Sequence, residues 1–149
     1  MKIVNEMKMT LLSCSSNESF ARVAVTAFIS QLDPTIEEIA DIKTAVSEAV
    51  TNCIVHAYPD SLGTIWIRAR IYEDYALEIV IRDRGIGIDN IPAARQPLFT
   101  TGGADRSGMG FTIMESFTDS LKVMSKTGRG TTVKLYRRIL PRVRERSTR

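Results

Sequence analysis

The sequence predicts an α+β domain, a two-layer sandwich in which a mostly antiparallel mixed sheet is backed by helices. Three features of the 149-residue chain lead there. Short alternating segments pair up as hairpins, and two longer segments carry helical periodicity behind capping patterns. Strands and helices are also grouped rather than alternating one for one, which excludes a doubly wound parallel sheet. The 44% apolar and 25% charged fractions are those of an ordinary globular chain of one domain, not of a disordered one.

Residues 6–13 alternate, with Met7, Met9 and Leu11 set against Lys8 and Thr10, and read as a first strand. Ser15 and Glu18 then form a capping-box pattern that opens a helix to about Leu32. Its expected apolar face is Phe20, Ala24, Ala27 and Phe28. Thr35 and Glu38 repeat the capping pattern before a long helix that reaches Tyr58, where Pro59 stops it. The stripe of that helix is Ile39, Ile42, Val46, Ala49, Val50 and Cys53. Ile65, Ile67, Ala69 and Ile71 alternate with polar neighbours, as do Leu77, Ile79 and Ile81 after the Glu73-Asp74 turn, giving a hairpin that ends at Asp83. Residues 84–107 are irregular and rich in Gly and Pro, the mark of a functional lid. A helix from about Gly108 to Phe117 and a last hairpin through Leu121, Val123, Val133 and Leu135 complete the fold.

The net charge of +3 and pI near 9.0 suggest an anionic partner until the charge is located. Residues 137–149 hold six Arg against Glu145, which leaves the other 136 residues at −2. The expected division is therefore a domain over residues 1–136 and a basic tail over residues 137–149. Direct nucleic-acid binding is not expected of the body. Cys14 and Cys53 form neither a disulfide framework nor a metal spacing, which fits a reducing compartment. With no signal-peptide core and no membrane-length apolar run, the expected location is cytoplasmic.

Four segments then stand in a fixed order. Glu48 and Asn52 lie one turn apart on the long helix, so their side chains share a face. An Asn amide oxygen is a hard ligand suited to Mg²⁺, and a Glu one turn back can serve as a general base. Asp83 ends a strand and runs into Gly85 and Gly87; its carboxylate can accept the amino group of adenine while the glycines let backbone pass close to the ring. Arg106, Ser107, Gly108, Met109 and Gly110 put free amides at a helix start and a cation within reach of a γ-phosphate. In Gly130-Thr131-Thr132 a threonine hydroxyl is at hand to support the aspartate. Each segment alone reads equally as a solvated helix face or a plain turn. Their order makes ATP chemistry the leading reading.

These segments resemble the four nucleotide-site boxes of the GHKL, or Bergerat-fold, ATPases, which include gyrase, sensor histidine kinases and MutL. Residues 16–22, 47–52, 96–101 and 106–115 are more narrowly similar to the anti-sigma F factor family of spore-forming Firmicutes. That resemblance implies a homodimeric, ATP- and Mg²⁺-dependent serine kinase. Such a kinase holds a sporulation sigma factor inactive and phosphorylates an anti-anti-sigma factor, a STAS-type protein. It implies Glu48 as base, Asn52 as Mg²⁺ ligand, Asp83 as adenine acceptor and Arg106 as γ-phosphate contact. It also implies Gly85, Gly87, Thr100, Thr101, Ser107, Gly108, Met109, Gly110 and Thr131 in nucleotide binding, and Glu18, Arg22 and Asp105 in partner binding. A stress-response anti-sigma kinase, or a nucleotide-switched binding module without phosphotransfer, is the alternative.

Overall fold

The computed structural model describes residues 1–96 and 110–140. Alternating side chains build five strands: β1 (Ile3–Leu12), β2 (Thr64–Tyr72), β3 (Ala76–Asp83), β4 (Ser120–Lys126) and β5 (Gly130–Arg138). They lie in the order β1-β2-β3-β5-β4, and every pairing is antiparallel, so among the described residues the sheet is not mixed. Register places Ile67 opposite Ile81 and Ile79 opposite Leu135. All four are buried, because a period of two puts every second side chain on the face that the helices cover. The other face carries polar side chains such as Arg68 and Glu78, an ion pair at 3.0 Å.

The helices are α1 (Ser16–Ile29), α2 (Ile36–Asn52), the short α3 (Ile91–Ala94) and α4 (Gly110–Ser116). At α2 the expected capping box is present. Thr35 Oγ1 accepts the Glu38 amide at 3.0 Å, and Glu38 Oε1 accepts the Thr35 amide at 2.8 Å. At α1 it is not. Ser15 sits at φ −59° and ψ −32°, already helical, and its side chain makes no capping bond. A capping hydroxyl reaches the next turn only from an extended residue. Here the chain enters through a tight turn instead, with the Asn17 amide on Cys14 O and Asn17 Nδ2 on Leu12 O.

The buried face of α1 also differs from expectation. Ala21, Val25 and Ile29 are fully buried, whereas Phe20 is 55% exposed. Two apolar stripes at helical spacing compete on this helix, and the slimmer one lies inward, where small side chains let α1 approach α2 closely. The long helix ends sooner than expected as well. Beyond Asn52 the chain runs through a wider π turn, Cys53–Ala57, closed by the Tyr58 amide on Cys53 O at 3.2 Å.

The strand β5 runs to Arg138, and Ile139 is 1% exposed, so the expected boundary after residue 136 falls inside the sheet. Arg137 donates to Asp41 Oδ2 at 3.0 Å and to Phe117 O at 2.7 Å, joining β5 to α2 and to the end of α4. Glu38 Oε2 accepts the Leu140 amide.

The stripe assignment gives opposite outcomes for two residues of α1. Ile29→Ala should cost about 2–5 kcal/mol of stability in urea unfolding. Phe20→Ala should stay within about 0.5 kcal/mol. Similar losses at both positions would return Phe20 to the core.

Candidate nucleotide site

Helix α2 carries Glu48 and Asn52 on the side that meets α4. Gly110 opens α4, and a Cβ added there would stand 3.3 Å from both Glu48 Oε2 and Asn52 Oδ1. The missing side chain is what lets the start of α4 come against these two oxygens. Glu48 faces a second space too. A groove of about 400 Å³ between α1 and α2 is lined by Glu18, Arg22, Lys43, Thr44, Ser47 and Glu48. Within it Arg22 Nη1 pairs with Glu18 Oε1 at 3.4 Å and reaches Ser47 Oγ at 3.5 Å.

Asp83, 5% exposed, ends β3 inside the domain. Its Oδ1 accepts the Gly85 amide at 2.9 Å and the Thr131 amide at 3.1 Å. Its Oδ2 accepts the Cys53 thiol at 3.5 Å. Burial raises the carboxyl above its ordinary range, opposed by these three donors. Burial and the neighbouring carboxylate push the Cys53 thiol well up, so it stays protonated and donates. The loop that follows is wedged tightly. Ile86 N donates to Ala57 O at 3.1 Å, and any Cβ at Gly85 would fall 2.2 Å from that same carbonyl. Gly87 has φ +79° and lies against Lys126 O.

Glu48, Asn52 and Gly110 therefore come together, and Asp83, Gly85 and Thr131 form a second cluster joined to α2 through Cys53. The threonine acts differently from expectation: its amide supports Asp83, while its hydroxyl lies 2.8 Å from Ser125 Oγ. Thr100, Thr101, Asp105, Arg106, Ser107, Gly108, Met109 and the segment 141–149 lie outside the described residues. Sequence reasoning did not select three residues that hold the site. By its place in the α2 stripe Cys53 reads only as core. Tyr58 Oη accepts the Arg84 amide and donates to Thr64 O, both at 2.7 Å. Ser125 bridges two loops. Only Gly63, whose Cβ would strike the Tyr58 ring at 2.2 Å, left a local trace of such packing. His56, one turn beyond Asn52, sits half-buried in the π turn.

Residues 16–137 match the histidine kinase-like ATPase domain, and the chain belongs to that family. The chain is thus an ATPase-type domain. More narrowly, the chain is 56% identical to the anti-sigma F factor of Caldanaerobacter subterraneus subsp. tengcongensis, over 93% of this chain and 97% of that one. To the anti-sigma F factor of Priestia megaterium it is 52% identical, over 91% and 93%. Among solved structures it superimposes on the RsbU and RsbW domains of a Mycobacterium tuberculosis protein, with a TM-score of 0.68 and 20% identity. That match covers 95% of this chain but spans only 34% of the other. A mycobacterial sensor histidine kinase, MprB, matches with a TM-score of 0.56 and 16% identity, over 90% of this chain and all of the other. At these identities the two structures show the fold. Among the described residues no helix is long and apolar enough to cross a membrane.

The raised carboxyl has a consequence for stability. A group that binds its proton more tightly when folded contributes stability that is full below its unfolded value and is lost as pH rises through its folded value. Asp83→Asn, which does not titrate, should flatten the stability–pH curve above about pH 4, where the wild-type carboxyl gives up its proton and its stability contribution is lost as pH rises. Urea unfolding across that window checks it; an unchanged slope would mean that burial does not shift this carboxyl.

Proposed function

We propose that the chain is an anti-sigma factor that binds and inhibits a sporulation sigma factor and, as an ATP-dependent serine kinase, phosphorylates the anti-anti-sigma antagonist, a STAS-type protein. It works as a cytoplasmic homodimer. The observation that supports this best is the position of Glu48, which borders the α1–α2 groove on one side and meets Asn52 and Gly110 on the other. A protein substrate lying in the groove, held by Glu18 and Arg22, brings its serine to the carboxylate that also borders the nucleotide. Relatives named anti-sigma F factor across nearly the whole chain support the same assignment.

In this reading Asp83 accepts the adenine amino group, its carboxylate oriented by two amides and a thiol. Gly85 and Gly87 let the loop lie against the ring. The Asn52 amide oxygen fits a hard divalent ion, and Mg²⁺ held there would neutralise phosphate charge. Among the described residues no three His, Cys, Asp or Glu gather to hold a metal by themselves, so phosphate oxygens and water would complete its ligands. Glu48 takes the proton of the serine hydroxyl as its oxygen bonds to the γ-phosphorus and the bond to the β–γ bridging oxygen breaks, leaving phosphoserine and ADP. Arg106, with the Ser107, Gly108, Met109 and Gly110 amides and the Thr100 and Thr101 hydroxyls, completes the phosphate contacts by motif, and Asp105 is a further partner contact.

Two experiments test the reading. Glu48→Gln keeps size and hydrogen bonding but removes the proton acceptor. Single-turnover transfer to the antagonist should fall ~10²–10⁴-fold, with ATP and sigma-factor affinities nearly unchanged. Transfer at the wild-type rate would remove Glu48 from the mechanism. The second is titration of sigma factor into protein loaded with ADP or a non-hydrolysable ATP analogue. The ATP form should bind about tenfold tighter, a difference of about 1.4 kcal/mol, and Arg106→Ala should erase the preference. Equal wild-type affinities would remove the nucleotide from the control of sigma binding.

A further inference from the structure

The turn between β4 and β5 is stitched to the loop after Asp83, and Ser125 is the hub of that seam. Its Oγ accepts the Ile88 amide at 2.8 Å and lies 3.0 Å from Gly130 O and 2.8 Å from Thr131 Oγ1. Beside it the Gly128 amide donates to Ile86 O at 2.7 Å, and the Thr127 hydroxyl donates to Asp89 Oδ1. Of these groups only Ile86, Gly130 and Thr131 belong to the four sequence segments.

Proton counting fixes the direction of the network. A serine hydroxyl has one proton and two lone pairs. The Ile88 amide occupies one lone pair. A carbonyl can only accept, so Gly130 O takes the proton. The Thr131 hydroxyl must then donate to the second lone pair of Ser125. That leaves Thr131 Oγ1 able only to accept, on the residue whose amide already holds Asp83 Oδ1 at 3.1 Å. Two neighbouring groups, a carboxylate and a committed hydroxyl, both present acceptors.

We propose that Ser125 is a positioning residue for purine discrimination. By holding the Thr131 proton it keeps that hydroxyl from donating to the base beside Asp83, so that a 6-amino purine is matched and a 6-oxo purine is opposed. The inference rests on the nucleotide reading above. Without the Ser125 hydroxyl, the Thr131 proton loses its acceptor and can turn to donate toward a 6-oxo group.

The test is calorimetric binding of ADP and GDP to wild type, Ser125→Ala, Ser125→Thr, Thr131→Val and Asp83→Asn. The preference for ADP over GDP should narrow about tenfold in Ser125→Ala, the scale of one misdirected buried hydrogen bond. Ser125→Thr, which keeps a hydroxyl, should restore it. Thr131→Val, which removes the committed hydroxyl at nearly constant volume, should narrow it even if Ser125→Ala folds poorly. An unchanged preference in Ser125→Ala, or an equal weakening of both nucleotides, would overturn the proposal and leave Ser125 a structural bridge. If Asp83→Asn leaves ADP binding intact, the site reading itself fails and this inference with it.

Discussion

A buried carboxylate sets the terms for one end of this molecule. An ionised group 5% exposed is tolerable only if its lone pairs are filled, and leaving such a group unpaired costs several kcal/mol. Asp83 meets that demand with donors from three different places: the π turn after α2, the loop after β3 and the first residues of β5. Each donor comes from a different part of the chain, and each must be placed to within a few tenths of an ångström. The helix layer and the sheet are thus registered against each other at one side chain. A shift of either would strip the carboxylate of partners before it disturbed the apolar core.

Close backbone approach follows from that registration. The wide turn leaves Ala57 O pointing away from the helix, and the chain after Asp83 closes on it through Ile86 N. On the other side the same loop touches the β4–β5 turn. The loop thus passes between two walls of backbone, with positions 85 and 87 admitting no side chain without displacement. At the far end of α2 a second set of contacts, through Glu38, Asp41 and Arg137, joins the start of that helix to the end of β5. The helix that bears Glu48 and Asn52 is held at both ends.

Much of this was legible in the sequence where the governing interaction is local. The β2–β3 hairpin follows from alternation at Ile65, Ile67, Ala69 and Ile71, and the start of α2 from Thr35 and Glu38, whose reciprocal bonds span three residues. The same pattern at Ser15 and Glu18 misled, because a capping box also requires an extended backbone, which the pattern does not encode. On α1 two stripes were available, and the choice of Ala21, Val25 and Ile29 is made by what packs against them. At the site, spacing alone puts Glu48 and Asn52 on one helix face, while the expectation that Gly110 joins them rests on the order of the segments and their resemblance to the family's boxes. Cys53, Tyr58 and Ser125 could not. Their partners lie across turns and strands, such as Asp83 for Cys53 and Ile88 for Ser125, and no local periodicity records such pairs.

The chain has one tryptophan, and its surroundings make it an optical reporter. Trp66 lies on the open face of the sheet beneath two guanidinium groups, Arg82 at 4.7 Å and Arg84 at 5.0 Å from the ring centre. Indole emission is sensitive to the field of nearby cations. Arg82 is fixed by strand pairing opposite Trp66, but Arg84 belongs to the segment that leaves Asp83 and is anchored by its amide on Tyr58. Any displacement of that segment moves one of the two charges and not the other. The intrinsic fluorescence of the unlabelled protein therefore reports on the segment that leaves Asp83, against the constant field of Arg82 in the neighbouring strand.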